Sequence, residues 1–205
     1  MGPTATTDGL PVDTMNDTVN DTARIQGLEA LIKAQAGGPA VPVEQWNPPY
    51  CGDIGMAIGA DGTWQYQGSP IGRIALVKLF ARVLRRDADG RFFLVTPVEK
   101  VDVAVADAPF VAVEMQIDGA GQAQRLTFRT NVDDVVACGP ERPLRFEVQA
   151  GSGGLKPYVL VRGRLEALVT RALYYDLVEL AVPQNEDAPD RLGVWSGGVW
   201  WELAG

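Results

Sequence analysis

The sequence predicts an α+β protein built of two similar halves, each an antiparallel sheet with a helix. Three observations predict it. Short runs of alternating apolar residues are bounded by Gly and Asp turns, two amphipathic helical stretches follow such runs, and the order strand, turn, strand, helix recurs in the second half of the chain. With 205 residues, 46% of them hydrophobic and 21% charged, the chain has the composition of a globular protein with room for two such units.

Residues 1–20 are polar and rich in Thr, Asp and Asn, and are expected to form a disordered tail. They lack the basic and apolar regions of a signal peptide, so the Asn16 and Asn20 sequons have no secretory route to support them. Residues 21–52 are expected to be a helix and a Pro-rich connector. Ile25, Leu28, Leu31 and Ile32 fall at helical spacing, and Pro39, Pro42, Pro48 and Pro49 then keep the chain extended, with Trp46 and Tyr50 docking on the body.

The first half is expected to span 53–139. Met56 and Ile58 alternate, Ala60-Asp61-Gly62 turns, and Trp64 and Tyr66 alternate on the return strand. A helix over 70–86 follows, N-capped by Ser69 with Pro70 in the first turn; Lys78, Arg82, Arg85 and Arg86 read as its solvated stripe. Strands follow at about 91–98, 101–106, 109–117 and 124–130.

The second half, 140–205, repeats the order, with strands at 144–149 and 156–161 and a helix from Gly163 carrying Leu165, Leu168, Val169, Ala172 and Leu173 on one face. Gly62, Tyr66, Gly72-Arg73 and Ala75-Leu76-Val77 are echoed by Gly154, Tyr158, Gly163-Arg164 and Ala167-Leu168-Val169, as an internal duplication would leave them. A final hairpin turns at Ser196-Gly197-Gly198.

The chain has no histidine, which removes the usual proton shuttle, triad base and zinc ligand, and with them His-dependent hydrolases and HExxH metalloproteases. Gly151-Ser-Gly-Gly-Leu-Lys156 lacks P-loop spacing, and Asp87-Ala-Asp-Gly90 lacks the remaining acidic positions of a calcium loop, so neither a metal nor a cofactor is expected. A net charge of -8 disfavours nucleic acid and anionic membranes. The two cysteines, Cys51 and Cys138, form no CxxC pair and suit a cytoplasmic protein.

Polar residues gather at strand ends: Thr96 to Lys100, Asp107 to Phe110, and Thr130 to Asp133. They either face a ligand or bond turn backbone. Together with Trp46 to Gly52, Asp61 to Arg73, Asp107 to Val113, Pro157 to Val159 and Gly193 to Gly198, these strings resemble the proteobacterial domain-of-unknown-function family twelve eighty-five from about residue 44 onward. The resemblance implies a duplicated α+β architecture whose C-terminal half is superficially like a pleckstrin-homology fold. It further implies a binding site between the halves for a nucleotide-like ligand and a part in signal transduction.

On that basis the chain is expected to be a cytoplasmic, non-enzymatic protein binding a nucleotide-like or phosphorylated small molecule. Arg73, Arg162 and Arg164 would face phosphate, Trp64, Tyr66 and Trp195 would stack a base, and Thr96, Glu99, Lys100 and Asn131 would complete the site. The competing expectation keeps the aromatics in the core and pairs the arginines with Glu99 or Glu166, leaving a protein-interaction module that uses the pleckstrin-like sheet.

Overall fold

The computed structural model describes residues 25–34, 41–149, 151 and 153–203. The expected tail over residues 1–20 lies outside the described residues.

The first half is one six-stranded sheet. Three strands, β1 (Tyr50–Ile58), β2 (Trp64–Tyr66) and β3 (Ser69–Pro70), step outward from its centre. A helix, α2 (Ile74–Arg82), then carries the chain to the opposite edge, and β4 (Leu84–Arg86), β5 (Phe92–Val95) and β6 (Lys100–Val105) step back in. The first and last of these strands meet at the centre in a parallel pair, β1 with β6. A short helix ahead of them, α1 (residues 25–34), buries Leu28 and Ile32, and its Glu29 pairs with Arg73 at the start of α2.

The second half repeats that path. β7 (Phe110–Asp118), β8 (Arg125–Thr130) and β9 (Val135–Ala137) step outward, and β10 (Leu144–Val148), β11 (Leu155–Arg162) and β12 (Leu165–Val169) step inward, so that β12 and β7 form the parallel central pair. Here the helix, α3 (Arg171–Glu179), comes after the last strand. β13 (Val182–Pro183), β14 (Leu192–Ser196) and β15 (Val199–Glu202) make a small third sheet. Ser196 fastens it to the second half: its buried Oγ accepts from Leu126 N at 2.9 Å and donates to Cys138 O at 2.8 Å.

The duplicated sheet-plus-helix architecture thus holds, in a different phase from the one the sequence suggests. The sheets change hands between Val105 and Phe110 rather than at 139/140, because β7–β9 pair with β12 and not with β6. Each sheet is also mixed rather than purely antiparallel, since an outward and an inward set of three strands must meet side by side at the centre.

Two helix boundaries differ for local reasons. Ser69 and Pro70 pair as a strand with Tyr66 and Gln65, so α2 begins after an extended Arg73, and residues 84–86 leave the helix to pair with 92–94. Gly163, at φ +52°, turns β11 tightly into β12, and Leu165, Ala167 and Val169 are buried alternately. That run mimics helical spacing only because Leu168 also is apolar.

α2 lays Leu76, Val77, Phe80 and Ala81 inward, with the Phe80 ring 6.2 Å from Trp64. Buried side chains from both halves, among them Phe80, Leu94, Phe110, Phe128 and Val159, form one contiguous core. Among the described residues no helix is long and apolar enough to cross a membrane.

Candidate functional site

The seam between the halves is built by the polar strand-end residues. Asp61 starts the turn after β1 by accepting from Thr63 N at 2.9 Å and Thr63 Oγ1 at 2.8 Å, and those donors hold its carboxyl below the usual carboxylate range. Gly62, at φ +80°, then turns its carbonyl toward the other half, where Asn131 Nδ2 donates to it at 3.3 Å. Asn131 is fixed from behind: its Oδ1 accepts from Val111 N at 3.0 Å and its own N–H donates to Val111 O at 2.8 Å. Neighbouring Thr130 is fully buried and its Oγ1 accepts from the N–H groups of Val132 and Asp134.

Arg162 makes the second tie. Its guanidinium lies over the Phe110 ring, pairs with Asp134, and donates from Nη2 to Ala81 O at 2.6 Å. Ala81 sits in the last turn of α2, whose carbonyls have no partner within the helix, so a cation from the opposite half caps it. A third tie pairs Lys78 of α2 with Asp133; the ammonium holds the Asp133 carboxyl below its ordinary range.

Between these ties lies a cleft of about 390 Å³. Val41, Val43, Leu84, Val132 and Leu165 give it apolar walls, and Lys78, Arg82 and Arg162 bring three cations to it against Glu44 and Asp134. Both halves and the connector contribute. Cavities of this size and character at domain junctions are where small ligands bind. A larger groove of about 940 Å³ lies in the second half, walled largely by small residues and turn backbone such as Ala123, Gly139, Gly197 and Gly198.

The structure divides the expected site residues. Arg162 lines the cleft, and Asn131 stands at the seam beside it as a fastener. Arg164 lines a separate cavity on the other side of the β11–β12 turn. The others are elsewhere. Trp64 is 1% exposed in the core, its indole N–H without a hydrogen-bond partner among the described residues, so it cannot stack a base. Tyr66 packs against the core, and Trp195 lies in the third sheet opposite Trp200.

Arg73 is engaged by Glu29. Thr96, wholly buried, closes its own turn by accepting from Glu99 N at 3.1 Å, and Glu99 supplies backbone to that turn. Lys100 pairs with Asp87 at 3.2 Å and lies over the Phe93 ring. Sequence reasoning missed Lys78 and Arg82, taking them for a solvated stripe; their i, i+4 spacing on one helix was the available signal.

Among the described residues no group of three or more acidic or cysteine side chains is placed to hold a metal. Cys51 is exposed and Cys138 buried, and burial pushes the Cys138 thiol up from 9.0 to about 11. A thiol reagent at neutral pH should therefore label one cysteine per native chain and two after denaturation. The linkage has a definite sign. Between pH 9 and 11 only the unfolded chain releases this proton, so stability should fall as pH rises through that window. Tyr158, raised by burial and by its bond to Asp107, adds to the same alkaline loss. Rapid labelling of both thiols in the native chain at neutral pH would contradict the buried placement.

Two family models match the chain. One, described as "Domain of unknown function (DUF1285), N-terminal domain", covers residues 41–108, and the other, "Protein of unknown function (DUF1285), C-terminal domain", covers 109–203. Their junction coincides with the change of sheet between β6 and β7. Among solved structures, the chain is similar to a DUF1285 family protein from Silicibacter pomeroyi DSS-3, at 48% identity and a TM-score of 0.75 over 82% of this chain and 88% of that one. It is also similar to a DUF1285 family protein from Shewanella baltica OS155, at 27% identity and a TM-score of 0.49 over 62% of this chain and 91% of that one. No curated protein matches it.

Proposed function

This chain belongs to the DUF1285 family, and on that premise we propose that it senses a nucleotide-like or phosphorylated small molecule bound between its two halves, without transforming it. The observation that carries this reading is the 390 Å³ cleft, where apolar walls meet Lys78, Arg82 and Arg162 and both halves contribute. A phosphoryl group would engage the cations while the rest of the ligand covered Val43, Val132 and Leu165.

Sensing follows from how the cations are held. Lys78 and Arg162 are engaged across the seam with Asp133, Asp134 and Ala81 O, so a competing anion would exchange inter-half contacts for ligand contacts. The absence of histidine from the sequence favours binding over catalysis. The two free cysteines accord with a cytoplasmic setting.

A thermal-shift screen of nucleotides and sugar phosphates tests the reading. At least one should raise the melting temperature. Its affinity should fall about ten- to a hundredfold in Lys78→Gln and Arg82→Gln, the loss of a charge-assisted hydrogen bond. Arg73→Gln should leave it unchanged, since that guanidinium pairs with Glu29 and lies outside the cleft. A blank screen, or affinity indifferent to both cleft variants, overturns the proposal. The interaction-module reading would then gain, supported by Val135 on β9 and Val148 on β10, which stand exposed on the two edge strands of the second sheet.

A further inference from the structure

A second cavity, of about 220 Å³, opens on the other side of the β11–β12 turn, and its chemistry differs from that of the cleft. Its lining combines Arg86 and Phe92 from the first half with Arg145, Tyr158 and Arg164 from the second. The carboxylates around it are already satisfied. Glu166 receives Arg145 through Nε at 2.6 Å and Nη2 at 2.8 Å, and Glu147 receives Arg145 Nη1 at 2.8 Å. Asp107 receives Lys156 Nζ at 2.6 Å and the Tyr158 hydroxyl at 2.7 Å.

Two cations are left over. Arg86 stacks on Phe92 and donates from Nε to Gly90 O at 3.3 Å, but pairs with no carboxylate among the described residues. Arg164 has neither a hydrogen bond nor an ion pair among them. Asp107, Glu147 and Glu166 line the cavity too, but Arg86 and Arg164, from different halves, border it with no carboxylate partner of their own among the described residues.

With the Lys156 that pairs with Asp107, four cations (Arg86, Arg145, Lys156 and Arg164) stand against the three lining carboxylates, so an anion would complete the charge balance, and guanidinium forks match tetrahedral oxyanions. The volume falls below the range of about 300–1,000 Å³ that holds drug-sized ligands, which selects a compact group. We propose that this cavity binds a small phosphate oxyanion between Arg86 of one half and Arg164 of the other, as a site separate from the cleft that holds Lys78 and Arg82. Arg145 is held in place by its two carboxylates and lies over the Tyr158 ring, so it forms a fixed wall.

Calorimetry and thermal melts with inorganic phosphate and with glycerol phosphate, at ionic strength held constant with chloride, test the site on the full chain. At least one probe should bind saturably and raise the melting temperature. Tighter binding of glycerol phosphate identifies a phosphomonoester head as the ligand, and equal or tighter binding of inorganic phosphate identifies the free ion. Arg164→Gln should weaken binding about tenfold or more without lowering the ligand-free melt, because it gives up no internal bond. Arg86→Gln should act likewise, with Arg86→Lys retaining part of the affinity, whereas Arg73→Gln, outside both cavities, should bind as the wild type does. Absence of saturable binding by both probes, or wild-type affinity in Arg164→Gln, overturns the proposal and leaves the reading of the cleft untouched.

Discussion

Replacing Arg85 by methionine should cost about 3–5 kcal/mol of folding stability, the range for breaking one side of a buried ionic cluster. Arg85 is 7% exposed, and its guanidinium is shared three ways. Nη1 donates to Val43 O at 2.8 Å and to Trp46 O at 2.7 Å, while Nε donates to Asp87 Oδ1 at 2.6 Å. It clamps the connector to edge strand β4. Methionine fills the same space but leaves the Trp46 carbonyl without its donor, the Val43 carbonyl with only the Trp46 N–H, and Asp87 with only Lys100.

Urea unfolding should show the loss as a lower midpoint with an unchanged slope, and the melt should drop by on the order of 10 °C. Arg85→Lys should fall between, since a point charge cannot serve all three acceptors. The connector also supplies Val41, Val43 and Glu44 to the cleft, so the methionine variant should lose ligand affinity as well as stability. A loss under about 1 kcal/mol would mean that the connector is held by its side chains alone.

Gly62→Ala is the second large effect, expected at about 2–4 kcal/mol. A side chain at φ +80° costs about 1–2 kcal/mol by itself. The new Cβ would also stand 2.7 Å from Asn131 Nδ2 and 2.8 Å from Val111 Cγ2, so the tie between the halves must give way. Gly52→Ala is the control: its φ of +85° carries the same backbone penalty, but nothing lies within 4 Å of its Cβ. The excess at Gly62 over Gly52, read by urea unfolding, measures the contact across the seam. Equal losses would mean that Asn131 and Gly62 do not join the halves.

Most strands were legible because apolar residues alternate between turn residues: Val159 and Val161 ahead of the Gly163 turn, and Leu165, Ala167 and Val169 after it, are buried at every second position. The phase of the repeat was not. Strand pairing is set by partners far away in sequence, and the letters shared by Gly62–Tyr66 and Gly154–Tyr158 fall on strands that occupy different places in their sheets, β2 second from one edge after an outward step and β11 second from an edge after an inward one. The helix expected from Gly163 failed because Leu165 and Val169 fit both periods while an apolar Leu168 on the other face supplied the helical spacing, and only the left-handed Gly163 decides between them.

At the site, residue types were legible but their partners were not. Thr96, Thr130 and Asn131 do bond turn backbone, as short polar side chains beside a turn tend to do. Nothing local tells that Asn131 also reaches Gly62, or that Arg162 ends on a carbonyl 81 residues earlier in the chain. Of the motifs that look like ligand contacts, Thr130 to Asp133 is spent on joining the halves and Thr96 to Lys100 on its own half. The cleft cations come instead from a helix face that sequence alone assigns to solvent.

If the two halves are fastened into one body, they should lose protection together. Amide hydrogen exchange of Arg162→Met, compared with the wild type under native conditions, measures this directly. The variant uncaps α2 from the opposite half and leaves Asp134 without its guanidinium. Slowly exchanging amides of Leu94 and Val103 in the first sheet and of Val159 and Ala167 in the second should all lose the same free energy of protection, about 2–3 kcal/mol. Loss confined to the second sheet, with Leu94 and Val103 protected as before, would show that the halves unfold separately and that the seam does not couple them.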